Sequence, residues 1–329
     1  MSLRPHLRSK LRFVIRRYIE LKRALGRKFE VESYQLGRLD QFLASNDSDL
    51  TFETYCAWCS TLGHATASGR RLRMRIVHNL CVYRRRTEPH CFVPDPSQFP
   101  PAQPRSKPYI FSGEEISRLL RATDRLASHP CSPLHCHVAR LAVVLLYTSG
   151  IRRGEAIRLT LGDYNATEEL LVIRESKFHK SRLVPLSKDC LRELQRYLRY
   201  RSTPGFPCDS ASPLLLNTHG GMTGYTGHGF AHMIRKLYRR ANIRTRSGRL
   251  PRIHDLRFTF AVHALMRWYR RGDDLHAKLP ALSTYMGHVS IVSTQYYLPF
   301  VDDVAQAASE RFERHFAQFH SEIFTGGAR

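Results

Sequence analysis

The sequence predicts a mainly α-helical fold with a small antiparallel β-sheet, divided into two domains. Apolar residues recur at helical spacing through most of the 329 residues. A proline-rich stretch at 92–108 follows neither a helical nor a strand period and indicates an interdomain linker. Beyond it, two short apolar runs at 170–174 and 182–186 are typical of paired strands.

An amino-terminal helical domain is predicted for residues 1–91. Helical periodicity covers 7–24, 31–43, a segment that begins at Thr51, and 67–86. Thr51 or Asp49 is a possible cap of the third of these helices, because threonine and aspartate are residue types that cap helix amino termini. Arginines occupy many of the positions between the apolar residues of the fourth helix, so we expect a small bundle with one cationic face.

A second domain of mixed α/β character is predicted for residues 109–329. It opens with Ser112 and Glu115, which have the spacing of a helix capping box. Residues 177–180 connect the two strands, and 203–224, rich in Pro, Gly, Ser and Thr, are expected to be mainly loop. Helices are predicted at about 112–120, 141–148, 154–159, 189–199, 228–240, 254–270, 279–287, 291–297 and 302–318.

The charge of the chain indicates a polyanionic partner. There are 52 Lys and Arg against 28 Asp and Glu, a net charge of +24, and the pI is near 10.2. The basic residues lie inside patterned segments, such as the three arginines at 84–86, and not in one tail. Nucleic acid is therefore the predicted partner, with an anionic membrane surface as the alternative.

Neither a membrane span nor a metal site is predicted. No run of about 18 apolar residues is present, and the first residues lack the apolar core of a signal peptide. The expected location is the bacterial cytoplasm, in association with the nucleoid. Cys56 and Cys59 have CxxC spacing, but no second pair answers them, so we expect reduced thiols and no metal or cofactor.

Three short segments of the second domain carry candidate chemistry. Arg152 follows the end of an apolar helix, and His254 and Arg257 are neighbours on one helix face. Tyr297 comes nine residues after His288. Singly, these are a surface arginine, a helix-start histidine and a half-buried tyrosine. Together they supply two phosphate-binding forks, two histidines able to transfer protons and an oxygen nucleophile.

The order and spacing of these segments resemble the signature boxes of the tyrosine recombinases, the phage integrase family. Residues 148–155 (TSGIRRGE) are similar to the first box and 254–261 (HDLRFTFA) to the second. Residues 286–288 (MGH) and 294–297 (TQYY) are similar to the segments that close the family's site. The resemblance spans most of 110–320 and implies a helical core-binding domain followed by a mixed α/β catalytic domain.

The resemblance also implies which residues form the site. It places the first catalytic arginine at Arg152, with Glu155 as the supporting acid. The predicted hairpin resembles the strand pair that bears the family's lysine, which corresponds to Lys177, five residues before Arg182. Lys180 in the same connection is the alternative lysine.

Two positions near the site depart from the family's usual pattern. Phe258 stands where the second box commonly has a histidine, which we expect to be a change of packing. Tyr296 adjoins Tyr297 and is the alternative nucleophile, although the spacing from His288 favours Tyr297.

The mechanism implied by the resemblance needs neither metal nor ATP. Tyr297 would attack a scissile phosphate and form a 3′-phosphotyrosyl link with release of a 5′-hydroxyl. Arg152 and Arg257 would hold the non-bridging oxygens, and Lys177 would protonate the departing oxygen. The catalytic histidines would be His254, which assists the tyrosine proton or binds phosphate, and His288, which binds a phosphate oxygen.

The implied partners are double-stranded DNA with paired recombination sites and three further copies of the chain, because exchange between two duplexes requires four active sites. Other recombinases are possible partners. A final helix at about 301–319 either docks on a neighbouring subunit or packs on its own.

Integration or transposition of a mobile element is the expected role, and resolution of chromosome or plasmid dimers is the alternative. A type IB topoisomerase and a non-catalytic DNA-binding regulator are further alternatives for the activity. The regulator would have no need of the tyrosine, so a Tyr297→Phe variant distinguishes it from an enzyme.

Overall fold

The computed structural model describes residues 7–102, 107–126, 132–174, 181–219, 221–288 and 290–301. The chain forms two compact units that divide after Ser106. In both units the described residues are mostly helical, and two small antiparallel sheets lie in the second. The fold class predicted from the sequence is thereby confirmed.

Helices make up the described part of the first unit. Leu36, Leu39 and Leu43 on one helix are fully buried and face Ile15 and Leu80 in a single apolar cluster. Burial of each such side chain stabilises the fold by about 1.5–3 kcal/mol. The helices are α1 (Arg12–Ala24), α2 (Glu30–Ser45), α3 (Phe52–Ser60) and α4 (Ala67–Arg84).

Polar side chains fix the ends of these helices. Thr51 caps α3 as predicted, since its side chain accepts from the Thr54 N–H at 3.3 Å. Asp40 is fully buried and ties α2 to the start of α1 by accepting from the Ser9 hydroxyl at 2.6 Å. Arg84 at the end of α4 donates to the Asp49 carboxylate at 2.7 and 2.8 Å.

The described part of the predicted linker packs with the first unit. Phe99 is buried in the apolar cluster of this unit. Nδ1 of His78 lies 2.8 Å from the Pro94 carbonyl oxygen, and Arg71 donates to the Pro100 carbonyl at 2.7 Å. These carbonyls find donors on α4, because a proline-rich segment forms no ladder of its own.

The second unit is built around the buried helix α6, which packs against α5, α8 and α10. The Ser112 capping box is present at the start of α5, with both reciprocal hydrogen bonds. The helices are α5 (Gly113–Asp124), α6 (His135–Thr148), α7 (Arg153–Ala156), α8 (Lys188–Arg201), α9 (Gly227–Arg240), α10 (His254–Arg270), α11 (Leu275–Met286) and α12 (Val292–Gln295).

The two predicted strands pair antiparallel, with Leu171 opposite Val184 and Ile173 opposite Arg182. A short strand that the sequence did not predict adds to the other edge, and a second small hairpin lies within the predicted loop at 203–224. The strands are β1 (Tyr164–Asn165), β2 (Leu170–Ile173), β3 (Arg182–Pro185), β4 (Leu216–Asn217) and β5 (Thr223–Gly224).

A separate apolar cluster joins α10, α11 and the residues after them. Val262, Leu265 and Met286 are among its buried members, and Tyr297 belongs to it. Within the described ranges, no helix is both long and apolar enough to cross a membrane.

Candidate active site

Two left-handed glycines bring separate segments of the second unit close together. Gly150 follows α6 with φ +57°, and Gly287 ends α11 with φ +67°. A Cβ on Gly150 would lie 2.3 Å from the Phe260 ring, and one on Gly287 would lie 2.9 Å from Nη1 of Arg182. Glycine is therefore required at both turns for conformation and for space.

Arg257 is the most deeply buried charge of the site, with 2% of its surface exposed. It donates to the carbonyl oxygens of Gly150 and of Met286, the latter at 2.7 Å, and its Nη2 lies 2.9 Å from Nε2 of His288. Burial, and then the charge of Arg152, lower its pKa to about 10. The guanidinium therefore remains charged at neutral pH.

The Glu155 carboxylate accepts hydrogen bonds from two further arginines. Arg152 donates to it from Nη1 at 2.8 Å and from the backbone N–H at 2.9 Å, and Arg182 donates from both Nη atoms at 2.9 and 3.1 Å. Arg152 also donates to the Gly287 carbonyl at 2.7 Å. Burial acts to raise the pKa of Glu155, but the hydrogen bonds from Arg182 and Arg152 lower it to about 2.

His288 links Arg257 to the candidate nucleophile. Because a guanidinium can only donate, Nε2 of His288 accepts, and Nδ1 donates to the Thr294 hydroxyl at 2.7 Å. Its ring stacks on Tyr297 with centroids 5.9 Å apart. Burial, followed by the charge of Arg257, lowers the pKa of His288 to about 4, so the ring is neutral at neutral pH.

Tyr297 is 3% exposed, and burial raises its pKa against the opposing charge of Arg257. Phe258 packs edge-on against this ring at 5.1 Å, against Tyr296 at 5.8 Å and against His254 at 5.2 Å. Phe258, which stands where the second box commonly has a histidine, thus contacts the His254 ring and both tyrosine rings.

The arrangement is suited to an anion that can be attacked by an oxygen nucleophile. Arg152 and Arg182 both donate to the Glu155 carboxylate, and Arg257 interacts electrostatically with all three groups, so three positive charges face one negative charge. Arg152 is 28% exposed, and only two of its side-chain N–H groups make the described hydrogen bonds. Five donors are present on a guanidinium, so donors remain for a phosphate oxygen.

The structure brings most of the predicted site residues together. Contacts connect Arg152, Arg257, His288 and Tyr297 in one cluster, and His254 joins them through Phe258. The neighbouring Arg153 is exposed. Lys177 and Lys180, and the predicted helix at 301–319 apart from its first residue, lie outside the described residues.

Arg182 and Thr294 are contributors that the sequence analysis did not recognise. In the sequence, Arg182 marked the start of a strand and the position from which Lys177 was counted, and it was given no role in the site. An arginine at the start of a short apolar strand, directly after the lysine-bearing connection, was the available signal. Nothing in its spacing identified Glu155 as its partner.

Comparison with known proteins agrees with the resemblance to the tyrosine recombinases. The model of the phage integrase family matches residues 110–302. A putative integrase/recombinase, y4rB, from Sinorhizobium fredii is 33% identical over 318 residues, 94% of this chain and 98% of that protein. The tyrosine recombinase XerA of Pyrococcus horikoshii is 26% identical over 197 residues, 60% of this chain and 59% of that protein.

A solved structure has the same fold. The Tn1549 transposon integrase in complex with circular intermediate DNA superposes with a TM-score of 0.59 at 18% identity. The match covers 86% of this chain and 94% of that chain.

Proposed function

This chain belongs to the phage integrase family of tyrosine recombinases, and we propose that it cuts and rejoins DNA strands at specific sites through Tyr297. The observation that carries the proposal is the convergence of Arg152, Arg257 and His288 beside that tyrosine. A protein that only binds DNA needs cations, but it does not need a buried tyrosine stacked on a histidine among them.

In this proposal the two arginines hold the scissile phosphate. Arg257 keeps its position through backbone carbonyls and His288, and Arg152 keeps its position through Glu155 and the Gly287 carbonyl. Donors fixed before the reaction stabilise charge that grows on the phosphate oxygens, typically by about 3–4 kcal/mol each.

The covalent step forms one bond and breaks one. Oη of Tyr297 attacks phosphorus, and the bond to the 5′-oxygen breaks, which leaves a 3′-phosphotyrosyl link. Lys177 gives its proton to the departing oxygen, and His254 takes or shares the proton of the tyrosine. Attack of a 5′-hydroxyl on the phosphotyrosine reverses these steps and rejoins a strand. The number of phosphoester bonds is unchanged, so no ATP is consumed.

The basic first unit supplies further contacts to the duplex. Its exposed arginines on α1 and α4 include Arg16, Arg17 and Arg75. We propose that the first unit binds the DNA backbone and that four copies act together on two paired sites.

The biological role that we favour is integration or transposition of a mobile element, in a bacterial cell and on its chromosome. The relative that is similar over nearly the whole chain carries the name of a putative integrase/recombinase. The relative named XerA matches only 60% of this chain. Resolution of chromosome or plasmid dimers is the alternative role.

The test is covalent capture on a nicked suicide duplex that carries the recombination site, identified first among the sequences flanking the gene. Wild type should form a DNA-linked species on a denaturing gel, Tyr297→Phe should form none, and Tyr296→Phe should still form it. Binding without capture by wild type would contradict the proposal and favour a DNA-binding regulator. Relaxation of a supercoiled plasmid that lacks the site would favour a topoisomerase.

A further inference from the structure

We propose that Arg182 is a positioning residue of this reaction: it occupies one side of the Glu155 carboxylate and so keeps Arg152 directed at the phosphate. The inference rests on the proposed function, because the direction of Arg152 matters only if Arg152 binds the scissile phosphate.

The contacts of Arg182 are all within the protein. Its Nη1 and Nη2 donate to Oε1 and Oε2 of Glu155 at 3.1 and 2.9 Å, and its Nε donates to the Tyr285 carbonyl at 2.9 Å. Its side chain is 10% exposed. Its three described hydrogen bonds are all to other residues of the site, and its side chain is less exposed than that of Arg152, which is 28% exposed.

The carboxylate has two arginine partners, one on each side. Arg152 reaches Oε1 with Nη1 and Oε2 with its backbone N–H, while Arg182 reaches both oxygens with its fork. Because Arg182 takes the bidentate position, Arg152 needs only Nη1 for Glu155 and can use Nη2 on the Gly287 carbonyl.

Loss of Arg182 would change which groups the two Nη atoms of Arg152 bind. The side chain of Glu155 is 2% exposed and ionised, so a buried carboxylate would be left short of donors. Arg152 is its other arginine partner. It would turn both Nη atoms onto Glu155 and give up the Gly287 carbonyl, and its fork would point away from the phosphate.

Arg182 also lies against the turn that carries His288. A Cβ on Gly287 would stand 2.9 Å from Nη1 and 3.1 Å from Cδ of Arg182. The backbone of Gly287 thus rests on this side chain, and its carbonyl receives Arg152. One side chain therefore contacts both groups that hold Arg152, Glu155 and the α11 turn.

The experiment measures single-turnover cleavage of the suicide duplex at saturating protein. Arg182→Met should slow cleavage about 100-fold, the size of effect expected when a reacting group is misplaced by about 1 Å. Arg182→Lys should recover about tenfold of that loss, because an ammonium can pair with Glu155 without matching both of its oxygens. The dissociation constant for DNA should change less than about threefold, since the described hydrogen bonds of Arg182 are all within the protein and its side chain is only 10% exposed.

The double variant separates positioning from support of the fold. In Arg182→Met with Glu155→Gln, the neutral amide no longer draws both Nη atoms of Arg152. Cleavage should therefore be faster than in Arg182→Met alone, whereas a merely structural arginine would show two losses that multiply.

Arg140→Met is the matched control. Arg140 also bridges carboxylates, those of Glu193 and Asp124, and its side chain is 20% exposed. It makes no described contact with the site. Arg140→Met should lower the thermal midpoint by about as much as Arg182→Met and should leave the cleavage rate of the folded protein unchanged.

Three results would overturn the inference. In the first, Arg182→Met cleaves at the wild-type rate; in the second, the double variant is slower than Arg182→Met by the full factor of Glu155→Gln. Both leave the proposed function intact, because wild type still forms the adduct. In the third, wild type forms no adduct, which overturns the proposed function together with this inference.

Discussion

Arginine serves the two units of this protein in different physical ways. In the first unit, Arg16, Arg17 and Arg75 stand on helix surfaces and are exposed. In the second, Arg257 is 2% exposed, and Arg182 is held at three nitrogens by Glu155 and a backbone carbonyl.

The difference shows why net charge and catalytic chemistry are separate properties of this chain. Exposed cations attract a polyanion from a distance, and salt screens that attraction. The guanidinium groups of Arg182 and Arg257 act through the direction of their donors, and carbonyl oxygens, a carboxylate and a histidine accept from them. Substitutions in the two regions should therefore change different measured quantities.

The largest effect is expected at Arg257. Arg257→Gln should lower the single-turnover cleavage rate about 1000-fold, since a fixed donor to a charged transition state is lost. Arg267→Gln, an exposed position on the same helix, should cleave at the wild-type rate. A fall in DNA affinity as large as the fall in rate would mean that Arg257 acts mainly in binding.

The next largest effect is expected at Gly150, whose carbonyl oxygen accepts a hydrogen bond from Arg257. Gly150→Ala places a methyl group 2.3 Å from the Phe260 ring at a φ of +57°. Gly248→Ala is the matched control, because its φ is +74° and nothing lies within 4 Å. Denaturant unfolding should show a loss of about 1 kcal/mol for Gly248→Ala and about 2–4 kcal/mol for Gly150→Ala. Equal losses would mean that the Phe260 contact relaxes freely.

A smaller effect is expected from the exposed arginines of the first unit. Arg75→Gln should weaken DNA binding about threefold to tenfold and should reduce the slope of log affinity against log salt by about 0.9. Cleavage at saturating protein should be unchanged. A slope equal to that of wild type would show that Arg75 does not meet a phosphate, and would weaken the contrast between the units.

The last effect is a dependence of stability on pH at His288. Its pKa in the folded protein is lowered to about 4, so below the unfolded value of about 6.5 the unfolded chain binds the proton first. The stabilisation is therefore fully present above about pH 6.5 and is lost as pH falls toward 4.

Urea unfolding at pH 7 and pH 5 measures this contribution. Wild type should lose about 2 kcal/mol more than His288→Asn between the two values. Equal losses in both proteins would show that His288 is not held in the neutral form by its surroundings.

Local signals in the sequence were sufficient for most of the secondary structure. Ser112 was predicted as a cap from residue type and spacing, and Thr51 was one of two possible caps of its helix; both side chains accept N–H groups of the first turn. The two-residue strands β1, β4 and β5 were not predicted. Segments so short carry no alternation, and their pairing depends on the strands beside them.

Local patterns in the sequence predicted several of the residues that form the site. Spacing within one helix is a local property, so His254 and Arg257 were recognisable as a pair. The pairing of Arg152 with Glu155 was implied by the resemblance to the family. The family boxes extended this to His288 and Tyr297.

The contacts that hold these side chains depend on the packed fold. Arg152 meets the Gly287 carbonyl across 135 residues, and Arg182 meets Glu155 across 27. Such hydrogen bonds form between groups that a packed core brings together, and no periodicity in the chain records them. Burying the Glu155 carboxylate is costly, and Arg182, from another segment, offsets that cost together with Arg152. His288 is buried in its neutral form, and Arg257, also from another segment, donates to its ring.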